Sequence, residues 1–144
     1  MMACAHATGN QRLRQHSFDI AFRTFKILAS SSNGGKQIDE LLQHKPIHEL
    51  YPTSSTFANF FRACRKLLLP TSKRRRSILT RSLTICRNLG LLNQYVVNQV
   101  QLACQTESDW EEIAGELADY VGWKEDFRRC SKNVPREWTS KARR

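Results

Sequence analysis

Between Leu50 and Thr106 the chain carries nine bases and no carboxylate: Arg62, Arg65, Lys66, Lys73, Arg74, Arg75, Arg76, Arg81 and Arg87. The chemistry open to such a set is binding rather than bond making. A guanidinium meets phosphate through two parallel hydrogen bonds and stacks on bases, whereas an ammonium acts as a point charge. Seven of the nine are arginine, which favours phosphate recognition. A concentrated positive field attracts phosphate or an acidic protein surface largely irrespective of fold. The nine are therefore the candidate nucleic-acid-binding residues. RNA is expected ahead of DNA, and nothing in the pattern points to base specificity.

Lys73, Arg74, Arg75 and Arg76 follow one another directly after Pro70, Thr71 and Ser72. A short basic run of this kind also resembles a nuclear-localisation signal, read by an acidic receptor groove. The next stretch inverts the charge. Glu107 to Asp126 holds eight acids against Lys124 alone, and Glu111, Glu112, Glu116 and Asp119 form a candidate acidic partner face. Two functions follow from this pattern. The first is a small, non-enzymatic, phosphate-directed nucleic-acid-binding protein with an accessory or regulatory role. The alternative is a helical adaptor whose basic and acidic faces dock separate protein partners or a second copy of the chain. Should the two segments pair within the fold, much of the external field would cancel.

Other reactive residue types fall in patterns that chemistry does not need. His44 and His48 have the i, i+4 spacing of zinc ligands on a helix, but Pro46 stands between them and breaks such a helix. Cys4, Cys64, Cys86, Cys104 and Cys130 contain no C-x-x-C pair, and an odd, scattered set makes a poor disulfide framework. They read as small buried hydrophobes in a reducing compartment. Gly34-Gly35 matches neither a phosphate loop nor a dinucleotide fingerprint. No nucleophile has a recognisable base and orienter beside it. Neither enzyme activity nor a metal or cofactor is expected.

Composition sets the frame. At 144 residues, 40% apolar and 25% charged, with a net charge of +10 and pI near 9.8, the chain suits one soluble globular domain. No window is long and apolar enough for a membrane span, and the start lacks the apolar run of a signal peptide. Nucleus or cytoplasm is the expected compartment. Residues 1–18 are free of acids, and Arg12 and Arg14 precede an amphipathic segment, a pattern that mitochondrial transit peptides share.

The elements that must position the bases are helices, because apolar residues recur at three and four and never alternate at two. Phe18, Ala21, Phe22, Phe25, Leu28 and Ala29 form one stripe; Ile38, Leu41 and Leu42 mark a short second helix. Phe57, Phe60, Phe61, Cys64, Leu67 and Leu68 form a third, capped by Ser54 or Ser55 and closed by Pro70. Three phenylalanines so spaced read as core in preference to a base-stacking platform. A fourth helix begins after Ser72 and ends at Gly90, with Leu79, Leu83, Cys86 and Leu89 inward. Leu92 to Ala103 makes a fifth. Ser108 with Glu111 reads as the capping box of a sixth, whose stripe runs through Trp110, Ile113, Ala114, Leu117 and Val121. The expected architecture is all-α: a compact bundle of about six short helices over 11–130, with a flexible segment 1–10 and a flexible basic tail 131–144.

Overall fold

A computed structural model describes residues 11–30 and 52–140. Over these the protein is all-helical and packs as a helical bundle. Five longer helices carry it: α1 (Gln11–Ser30), α2 (Ser54–Leu67), α3 (Lys73–Asn88), α4 (Gln94–Ala103) and α5 (Glu107–Ala114). A 3-10 turn (Gly115–Asp119) and two single turns, α6 (Phe127–Cys130) and α7 (Arg136–Thr139), complete it. The short helix expected at Ile38–Leu42, the histidines His44 and His48, and residues 1–10 lie outside the described residues.

Helix α2 is the hub. It packs on α1, α3 and α4, and its Phe57, Phe60, Phe61 and Cys64 are fully buried. Phe25 of α1 lies on Phe60 with ring centroids 3.9 Å apart and nearly parallel, and meets Phe57 edge-on at 5.2 Å. The phenylalanine stripe is thus core and offers no platform to a base. Thr53, not Ser54 or Ser55, caps α2: its Oγ1 accepts from the Thr56 amide, and Thr56 Oγ1 accepts from the Thr53 amide. Ser54 is spent elsewhere, donating its hydroxyl to the Leu91 carbonyl at 2.8 Å.

Helix α3 ends as its glycine requires. Gly90 has φ +64, its amide donates to Arg87 O, and the Leu91 amide donates to Cys86 O, the paired bonds of a Schellman close. A Cβ at Gly90 would collide with the carbonyl oxygen of Ser140, so the same glycine admits the α7 segment against the end of α3. In α4, Asn93 Oδ1 accepts from the Val96 amide, and Val96, Val97 and Val100 are fully buried. Their β-branching, which favours strands, yields to a spacing that buries all three on one side.

Further sequence expectations change toward the C-terminus. The capping box of α5 is Thr106 with Asp109, two residues earlier than Ser108 with Glu111, because each of the earlier pair bonds the other's amide. The helix then stops at Ala114, where Gly115 adopts φ +54. Leu117 still reaches the core from the 3-10 turn and Val121 from the chain beyond it, held by Trp110 Nε1 donating to Val121 O (3.1 Å) and Gln101 Nε2 to Gly122 O (2.8 Å). Residues 131–140 are also structured where a tail was expected. Val134 is buried, Trp138 packs edge-on against Tyr120, and the Leu92 amide donates to Trp138 O.

Candidate nucleic-acid interface

Spacing along α3 decides where its bases go. Lys73, Ser77, Arg81, Thr84 and Asn88 share the exposed side, while Arg75, Leu79, Ser82, Leu83 and Cys86 share the buried one. Cations crowded at a helix N-terminus oppose the macrodipole, at about 0.3–1 kcal/mol each. The fold offsets this for Arg75. Its guanidinium, 4% exposed, donates to Leu68 O at 3.2 Å and to Ala103 O at 2.5 Å. Leu68 follows the last residue of α2, and Ala103 is the last residue of α4. Carbonyls at helix C-termini lack intrahelical donors and carry the negative dipole end, so Arg75 closes two helices at once. Burial, the leading cause, pulls its pKa below the ordinary arginine value.

Three further arginines are taken by carboxylates. Arg76 reaches Asp109 Oδ1 at 3.1 Å and Glu112 Oε2 at 3.0 Å. Asp109 can serve twice because its other oxygen accepts from the Gln105 and Thr106 amides. Arg87 bonds Glu116 at 3.1 Å and lies over the Trp138 ring at 4.6 Å. Arg74 meets Asp19 at 3.4 Å and the Phe18 ring at 5.4 Å. The run Lys73–Arg76 is therefore divided among solvent, α1, the core and α5. An acidic receptor groove could engage all four together only if Arg75 left the interior.

Arg62, Arg65, Lys66, Lys73 and Arg81 make no ion pair among the described residues. Arg62 and Lys66 lie on the outward side of α2, with the Arg62 Nε buried and unbonded. Arg65 sits near enough to Arg75 for the two charges to repel. Nine candidates thus do not form one surface.

A different surface does assemble. Arg12, His16, Asp19, Arg23 and Lys26 follow one another at spacings of four and three, so they share one side of α1. The Asp19–Arg74 contact sets that side next to α3, beside exposed Lys73 and Arg81. Six bases face outward here: Arg12, Arg23, Lys26, Lys73, Arg74 and Arg81, all exposed, with Asp19 as the one acid in the two helices. The α1 bases lie outside the acid-free stretch Leu50–Thr106 and are spread thinly along the chain. The signal in the sequence that marks them is the same three-and-four spacing that marks the apolar stripe.

The acidic segment divides too. Glu112 turns to Arg76, whereas Glu111 and Asp119 join Glu107 and the Arg87-paired Glu116 around an open groove of about 430 Å³ walled by Trp110 and Trp123. Burial raises the Cys64 and Cys86 thiols far above their usual range and pushes Cys104 up to about 12. These thiols are packing groups, held neutral. Cys130 donates to Glu125 at 3.0 Å, and that bond is the main reason its pKa also rises. Among the described residues no three of His, Cys, Asp and Glu are grouped to hold a metal ion.

Compared with known proteins, the chain matches no protein-family model, no curated relative and no solved structure, so the reading of its surface rests on its own geometry.

Proposed function

We infer that the protein is a non-enzymatic binding module that holds a polyanion, RNA ahead of DNA, by phosphate contacts along the outer face of α1 and α3. One observation carries this reading: Arg12, Arg23, Lys26, Lys73, Arg74 and Arg81 share that face with a single carboxylate. Ion pairing within the fold does not change the net charge, so the pairs of Arg74, Arg76 and Arg87 leave the +10 intact. The excess has to be displayed, and this face displays much of it. Nucleus or cytoplasm, where such a ligand is met, is the compartment that goes with the reading.

The test is retention on mixed-sequence RNA as salt is raised. Contact with about five phosphates of a single strand gives a log–log slope of about −3.5. Reversing Arg12, Arg23 and Arg81 to Glu should reduce that slope by about two while helicity is unchanged. Retention with an unaltered slope would place the ligand elsewhere. Charge reversal at Arg75 is unsuitable because its guanidinium ties two helix ends, and at Arg76 because it would set a carboxylate against Asp109 and Glu112.

A second reading has its own observation, the groove in which Glu107, Glu111, Glu116 and Asp119 surround Trp110 and Trp123. A basic segment of a protein partner, or the basic face of a second copy, fits a site of this charge. Contacts between unlike faces of identical copies can propagate. Light scattering that rises with concentration, and falls on Glu111→Lys with Asp119→Lys, would support it. A monodisperse protein that captures no basic peptide would end it.

A further inference from the structure

The end of the bundle opposite Gly90 has a composition that neither face above explains. Arg75 binds Leu68 O and Ala103 O together, so Leu69 and Leu102, each next in sequence to one of those residues, lie at the same end of the bundle. Leu69 is 63% exposed and Leu102 57%. An exposed leucine alone is ordinary. Here two share one end of the bundle with three bases: Lys66 three residues before Leu69, Lys73 four after it, and Arg65, whose charge is felt by the Arg75 guanidinium. None of the three makes an ion pair among the described residues. Asp109, whose charge reaches Arg75, is committed to Arg76 and to the cap of α5.

We propose that this end docks on an anionic lipid bilayer as a peripheral contact. The bases meet lipid phosphates and carboxylates, and the two leucines enter the headgroup layer. Two observations favour a bilayer over a peptide. Leu69 is exposed in the α2–α3 connection and Leu102 in the last turn of α4, and they border neither described concavity, the one at Asn93–Ser131 nor the one at Glu107–Trp123. A projecting apolar pair requires a surface that yields around it, as a headgroup layer does, whereas a peptide needs a groove. No helix of the described residues is long and apolar enough to cross a membrane, so the contact is interfacial. The inference is independent of the polyanion reading, with which it shares only Lys73.

Co-sedimentation with vesicles tests it. The full chain should partition onto phosphatidylcholine vesicles containing phosphatidylserine at least tenfold better than onto phosphatidylcholine alone. Leu69→Gln with Leu102→Gln should lower that partition about fivefold while RNA retention stays as it was. A Leu69→Trp variant should be quenched by brominated-chain lipid in the anionic vesicles. The proposal is overturned if the chain does not prefer anionic vesicles or if the glutamine variant partitions like the parent. It is equally overturned if the tryptophan is not quenched, for then any attraction is diffuse charge.

Discussion

The α1–α2 interface and the α3–α5 seam join helices by opposite means. At the first, Phe18, Phe25, Phe57 and Phe60 exclude water, and the gain grows with apolar area and close packing. At the second, Arg76 reaches Asp109 and Glu112, and Arg87 reaches Glu116, with side-chain exposures of 43% and 24% for the arginines and 60% and 70% for the glutamates. Pairs that wet contribute little, between about 0 and 1 kcal/mol. The lesson concerns arginine: its effect depends on what surrounds it. Arg75, buried against two helix ends, belongs energetically with the phenylalanines although it adjoins Arg76 in the chain.

That contrast can be broken most visibly at Phe60. Phe60→Ala should lower unfolding free energy by about 3–5 kcal/mol in urea titration, since a fully buried ring leaves a cavity. Next comes Arg75→Ala, expected to lose about 2–4 kcal/mol because two helix-end carbonyls stay buried without donors. An effect below about 1 kcal/mol would show that water replaces the guanidinium.

Alkali sharpens the comparison from another side. The buried thiols have folded pKa values above the ordinary 9.0, Cys104 near 12. The unfolded chain then releases protons first, so stability is complete below pH 9 and falls as pH rises toward 12. Each thiol contributes a slope of up to about 1.4 kcal/mol per pH unit. Urea midpoints at pH 8 and pH 10.5 measure this, and Cys104→Ala should flatten the slope. The smallest effect belongs to the seam. Arg76→Ala should lose less than about 1 kcal/mol, with the loss shrinking in 1 M salt; a loss as large as at Arg75 would erase the distinction drawn here.

Much of the fold was legible in the sequence. The phenylalanine stripe, the close of α3 at Gly90 and the inward Leu79, Leu83 and Cys86 follow from spacing. The end of α5 was not legible. Leu117 and Val121 keep helical spacing, yet Gly115 leaves the helix and bonds from Trp110 and Gln101 hold the irregular backbone that follows. The docking of Trp138 was hidden too, since one aromatic in a basic tail has no period to read.

For the candidate site the division is sharper. Charge count and helical spacing are properties of the chain, so an excess of ten positive charges and the side on which each base projects were settled before folding. Which arginine would be neutralised depended on which helix lay across from it. Residues 74, 75 and 76 are adjacent, but successive helical positions turn by about 100°, and their neighbours come from α1, from the ends of α2 and α4, and from α5. Partners brought close only by packing leave no trace in local spacing, because Coulomb energy follows distance in space, not separation along the chain.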